Sequence, residues 1–133
     1  MRYSVLALGL VAGIATVGAA AAQDASVEVS KLAGQQITLH VYPFLSESDV
    51  KTLRLVATNK QALQLFITSN GYSAIAVAPA EGFAPGGAPA PSAVAIGDFG
   101  DAASAAQAAV QACDAKRQGG DACVVVLEVG PAS

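Results

Sequence analysis

One segment constrains the fold of this chain more than any other: ACVVVLEV, residues 122–129. Seven of its eight residues are apolar, and Glu128 is the one charged side chain. A strand with one face in water alternates polar and apolar residues, whereas a continuous apolar run is typical of a strand covered on both faces. We therefore expect a strand with packed elements on both sides, which requires a layered architecture.

The segment before this strand predicts the longest helix. Asp98-x-x-Asp101 is typical of a helix start, with Asp98 as the cap and Asp101 in the first turn. Gly119-Gly120 is predicted to end the helix. Its apolar stripe is made mostly of small residues: Ala102, Ala106, Ala109, Val110 and Cys113.

The first 22 residues have the pattern of a secretory signal peptide. Arg2 precedes an uncharged apolar stretch, and Ala20-x-Ala22 predicts cleavage before Gln23. An uncleaved membrane anchor is the alternative, but it needs about 20 apolar residues with flanking charges. We expect export to the periplasm or beyond, and no membrane segment after cleavage.

Both cysteines, Cys113 and Cys123, lie in the exported part. An even count at short spacing in an oxidising compartment predicts a disulfide. A metal or redox pair would favour a C-x-x-C spacing, and nine residues separate these two. The bridge would join the predicted helix to the sheet.

The N-terminal half gives weaker signals. We predict a loose arm over residues 23–35 with an extended piece at Val27–Val29, then a strand over 36–42 that places His40 on its polar side. Ser46-x-x-Asp49 predicts a helix start in which Asp49 reaches back to the cap. Residues 60–68 suit a helix or a strand; a helix is favoured, stopped by Asn70-Gly71.

Two further strands, 71–79 and 92–97, flank a loop over residues 79–91. Eleven of these thirteen loop residues are Ala, Gly or Pro, which do not suit a strand. Glu81 and Phe83 are the large side chains of the loop and are therefore its candidate partner-binding residues.

These elements predict the α+β class in a single domain over residues 36–133. We expect a small antiparallel sheet of three to four strands, packed by one main Ala-rich helix, plus one or two N-terminal helices.

The second half resembles a family of small secreted Gram-negative bacterial proteins of unknown function. The resemblance lies in GYSAIAVAP, a Gly-rich loop, the A-x-x-A-x-x-x-C helix and the Cys-Val-Val strand, over about residues 71–129. It implies export and a helix–strand cysteine pair. Some relatives carry the name aminolevulinate synthase, but a mature chain of 111 residues cannot house that pyridoxal-phosphate enzyme.

Composition excludes several functions. Seven basic against ten acidic residues, with no basic block, argue against a nucleic-acid partner. The sequence has no phosphate-binding motif, no G-x-S-x-G and one histidine, His40, so we predict no cofactor and no metal. Asp98 and Asp101 are assigned to structural roles at the helix start, as the cap and in the first turn, rather than to catalysis.

Two functional hypotheses remain. The first is a non-catalytic module that binds a periplasmic protein or the envelope. The second is a small hydrolase-like enzyme whose site assembles only in the folded chain. They differ in whether His40 lies within about 4 Å of an acid or hydroxyl in a cleft.

Overall fold

A computed structural model describes residues 25–67 and 71–132. The predicted signal peptide lies outside these residues. No helix in the described ranges is long and apolar enough to cross a membrane.

The described residues form one antiparallel sheet of five strands with three helices. The strands are β1 (Ser26–Leu32), β2 (Gln35–Val41), β3 (Tyr72–Val77), β4 (Val94–Phe99) and β5 (Val124–Pro131), in the order β1-β2-β5-β3-β4. The helices are α1 (Glu47–Thr58), α2 (Lys60–Gln64) and α3 (Ala102–Lys116). The α+β class is confirmed, but the expected three to four strands were too few.

The additional strand is β1, in the segment 23–35 that was predicted to be a loose arm; the extended piece predicted at Val27–Val29 lies within this strand. It forms a hairpin with β2 through a turn at Ala33 and Gly34, both with positive φ. Such a turn usually carries Asn-Gly or Asp-Gly. Because alanine occupies the first position, the sequence lacks this turn signal, and the hairpin was not predicted.

The two faces of the sheet are packed differently. Ile75 and Val77 of β3 point toward α1 and α2, in a cluster built from large side chains. Ala74 and Ala76 point to the opposite face, where they meet the alanines of α3. One face of β5 is covered by the larger cluster, and α3 covers the other face at Val125 but not at Glu128, so the prediction that both faces are covered holds only in part.

A bulge in β5 adds to the larger cluster. Ile75 pairs with Leu127 and Ala76 with Val125, which leaves Val126 as an extra residue. Val126 and Leu127 are both fully buried and belong to the same cluster. The apolar run therefore supplies more of the core than strict alternation would allow.

Helix α3 lies close to the sheet because both surfaces are made of small side chains. Ala105, Ala109 and Cys113 are its buried residues. Cys113 is bonded to Cys123, with 6.1 Å between their Cα atoms, so the predicted disulfide is confirmed. The bridge joins the last turn of α3 to the residue before β5.

The predicted cap of α1 is confirmed, and the predicted cap of α3 is wrong. Ser46 caps α1 by accepting from the amide of Asp49, as expected. Asp101, not Asp98, caps α3 and accepts from the amide of Ser104. Asp98 lies in β4 with a φ of 70°, because the strand continues to Phe99 and aspartate tolerates the left-handed region.

In the ambiguous segment 60–68, residues 60–64 form α2 and residues 65–66 form a turn after it. Asn59 caps α2 by accepting from the amide of Ala62. The helix ends at Gln64, before the predicted stop at Asn70-Gly71. Residues 68–70 lie outside the described residues.

Candidate functional site

Helix α3 covers only part of its side of the sheet. It packs on β3, β4 and β5 and leaves the same side of β1 and β2 open. Cross-strand pairing places Val27 opposite His40 and Val29 opposite Thr38 on this side. We call it the open sheet face; its residues are Val27, Val29, Lys31, Gln36, Thr38, His40 and Glu128.

An ion pair lies on the open sheet face. His40 Nε2 is 2.8 Å from Glu128 Oε2, and both side chains are partly buried. Thr38 lies directly opposite Glu128 in the register. His40 is therefore oriented by a carboxylate within the distance of about 4 Å expected for a base, but it is not among the residues that line the neighbouring cleft.

Tyr42 follows the end of β2 and is influenced by the same carboxylate. Burial, and then the negative charge of Glu128, raise the pKa of the Tyr42 phenol above its ordinary value. The shift favours the neutral phenol, which is also the ordinary form of tyrosine at neutral pH.

A polar cleft of about 290 Å³ adjoins the ion pair. We call it the sheet cleft; its main lining residues are Gln36, Thr38, Tyr72, Ala102, Glu128 and Gly130. A Cβ atom on Gly130 would lie 2.6 Å from two carbons of the Tyr72 ring, so the ring sits directly on this glycine. Glycine at 130 is therefore required to hold the aromatic side chain in place.

The arrangement supplies hydrogen-bonding groups but not an activated nucleophile. No hydrogen bond joins the Thr38 hydroxyl to His40 in the described part of the chain, and both cysteines are oxidised. Nucleophilic catalysis needs a nucleophile within reach of the oriented base. Over the described ranges, no group of three His, Cys, Asp or Glu side chains is placed to hold a metal ion.

The two candidate partner-binding residues fix the loop that carries them. The Glu81 carboxylate accepts from the Ser92 hydroxyl and from the Gln118 amide, and these hydrogen bonds lower the pKa of Glu81. Phe83 is 1% exposed and packs against Phe66. Its ring is therefore inside the protein, and the longest exposed stretch of the loop is the segment 85–89.

Asp49 is the residue whose role the sequence analysis missed. Its side chain does not reach back to the cap; it is buried, and its two oxygens accept from the amides of Phe83 and Ala84 at 3.0 and 2.9 Å. Gly82 leaves room for this carboxylate, since a Cβ there would lie 2.8 Å from Oδ2. No local pattern could reveal this contact, because its partners lie more than 30 positions away.

Comparison with known proteins gives no family assignment: no family model, curated protein or solved structure matches the chain.

Proposed function

We propose that the protein is an exported, disulfide-stabilised and non-catalytic binding module that holds a small polar ligand in the sheet cleft. The bridge between Cys113 and Cys123 supports export, because such bridges persist in oxidising compartments. The resemblance to small secreted bacterial proteins and the signal-peptide pattern point in the same direction.

The observation that carries the proposal is the set of polar side chains that line the sheet cleft. It presents the amide of Gln36, the hydroxyl of Thr38, the carboxylate of Glu128 and the side chain of Tyr72 on adjoining strands of one sheet. A few polar groups fixed on a rigid scaffold are typical of small-molecule sites. Because Glu128 is an acceptor, the ligand class is a small molecule rich in hydrogen-bond donors.

The test is a binding screen on the mature chain with monosaccharides, amino sugars and diamines as probes. A bound probe raises the melting temperature by mass action, and titration calorimetry then gives its affinity. We expect Thr38→Val to weaken binding about 5- to 10-fold, the worth of one hydrogen bond. Thr58→Val, on α1, is the matched control and should bind as the wild type does.

Two results would contradict this proposal. A probe that binds Thr38→Val and the wild type equally would place the site elsewhere. Failure of all three probe classes would exclude the proposed ligand chemistry.

The second candidate function is a small hydrolase with His40 as its base. The 2.8 Å contact with Glu128 favours it, since an oriented histidine is a common general base. Hydrolysis of activated esters by the wild type and by His40→Ala decides between the two. The binding module predicts equal background rates, whereas a hydrolase predicts loss of turnover in the variant.

A further inference from the structure

The outer edge of β1 differs from the opposite edge of the sheet. β1 pairs with β2 over seven consecutive residues without interruption. β4, at the other edge, has a register shift against β3 between Tyr72 and Ala74, and Asp98 takes a positive φ. Irregular backbone of this kind discourages further strand pairing, so β1 is the edge open to another strand.

The side chains of β1 also do little to block pairing with another strand, as those of edge strands usually do. Val27 and Val29 are 56% and 58% exposed, on the open sheet face. Natural edge strands are commonly blocked by charge, proline or a bulge, and β1 has one lysine, Lys31. On the opposite face, the Glu28 carboxylate accepts two hydrogen bonds from Arg54, so this side chain is tied to α1.

These features suit a second copy of the same strand. A two-fold axis perpendicular to the sheet keeps the helices of both copies on the same sides, so opposed residues must share a face. Pairings in which the two-fold axis passes through a residue of β1 meet this condition. Centring on Glu28 would oppose two carboxylates, whereas centring on Val29 opposes valine with valine and Glu28 with Ser30.

The register centred on Val29 has a further advantage over the one centred on Ser30. It sets Val27 against Lys31, whose aliphatic stem can cover the valine while its ammonium group stays in water. Centring on Ser30 would instead set each Val29 against Lys31 and lose the valine–valine contact. Of these three registers, the one centred on Val29 pairs valine with valine without opposing like charges.

We propose that β1 pairs antiparallel with β1 of a second copy about a two-fold axis at Val29, joining two sheets into one. The sheet clefts of both copies then lie on the same side of the joined sheet. This inference is independent of the proposed ligand, because it rests on the backbone and side chains of β1.

Sedimentation equilibrium of the mature chain tests the association. The wild type is expected to be a dimer, and Val29→Lys a monomer, because two ammonium groups would then face each other on the axis. Leu65→Lys is the matched control: it replaces another exposed apolar residue, 81% exposed on a different surface, and should remain a dimer. A monomeric wild type, or a dimeric Val29→Lys, would overturn the proposal.

Cross-linking tests the register directly and does not depend on a destabilising charge. Under mild oxidation, Val29→Cys is expected to give a disulfide-linked dimer, since the two thiols lie on the axis. Val27→Cys should give little of this product, because each thiol faces Lys31 of the other copy. Equal cross-linking of the two variants would exclude the Val29 register.

Discussion

Two carboxylates, Asp49 and Glu81, convert a loop of small residues into a fixed part of the molecule. The loop offers few large side chains for packing, so its order depends on hydrogen bonds to its backbone and to Ser92. Asp49 acts from α1, while Glu81 joins the loop to the segment after α3. The loop is therefore attached on both sides of its exposed segment 85–89.

Replacing Asp49 with alanine should destabilise the protein by about 2–4 kcal/mol, because two buried amides lose a charged acceptor. Asp49→Asn should have a smaller effect, since one oxygen still accepts. Chemical denaturation measures both. Glu47→Ala, an exposed acid in the same helical turn, is the control and should cost less than about 1 kcal/mol. Equal losses for Asp49→Ala and Glu47→Ala would contradict the role of the buried carboxylate.

Glu81 should make stability depend on pH under acidic conditions. Its pKa is lowered in the folded state by the hydrogen bonds from Ser92 and Gln118, so folding favours the ionised form. The contribution is complete above about 4.5, the ordinary glutamate value, and is lost as the pH falls through the folded-state pKa. Asp101 and Asp114 have lowered pKa values for the same kind of reason and act in the same direction.

The measurement is the urea midpoint between pH 6 and pH 3. We expect the wild type to lose stability over this range and Glu81→Gln to lose less, since the glutamine does not titrate. An unchanged pH dependence in Glu81→Gln would show that its hydrogen bonds do not favour the charged form.

At the residue scale, contacts between neighbours in the sequence were predictable, and contacts between distant residues were not. The cap at Ser46 involves a partner three residues away, so a local pattern reveals it. His40 and Glu128 are 88 positions apart and meet only because β2 pairs with β5. Either residue alone is compatible with an ordinary exposed strand position.

At the scale of elements, the pattern of residue size decides which layer covers which face. β3 alternates large and small residues, so one face suits a cluster of large side chains and the other suits close approach of α3. The alanines of α3 and β3 each bury little area. This side of the sheet therefore has the weaker hydrophobic stabilisation, and it is the side that carries the disulfide.

Removing the bridge should consequently be costly. The double variant Cys113→Ser/Cys123→Ser should unfold with about 2–3 kcal/mol less stability, the chain-entropy value for a loop of this length. Urea denaturation of the variant and the wild type gives this difference. Treatment with a reductant is the internal control. It should lower the stability of the wild type, once the bridge has been reduced in the unfolded state, and should leave the stability of the double variant unchanged. Equal stability of the two proteins would reject the structural role.

The element that was wrongly predicted shows where sequence patterns fail. β1 has two valines at alternating positions, but Glu28 and Lys31 make the segment as polar as an arm. Its hairpin turn uses Ala33 at positive φ, where the usual glycine or asparagine signal is missing. In contrast, α3 and β5 were recognised because their apolar patterns persist over many residues.

At the scale of the whole molecule, the unequal coverage of the sheet leaves one surface for interactions. α1 and α2 cover the face toward the larger cluster, while α3 covers only one part of the other. The open sheet face and the edge of β1 adjoin each other. The proposed ligand would lie on the open sheet face, and the second copy would pair along the adjoining edge of β1. Neither interaction requires a change in the core.

Export is the prediction that joins this architecture to a compartment, because the bridge needs an oxidising environment to form. In a Gram-negative host, we expect the protein in the periplasmic fraction with Gln23 as its first residue, as measured by intact mass. Ala22→Leu should block cleavage, since the peptidase requires small residues at this position, and Ala12→Leu should not. A chain lacking residues 2–22 should stay in the cytosol with both thiols reduced, as thiol labelling after denaturation would report. Full-length protein with free thiols from the unaltered gene would contradict export.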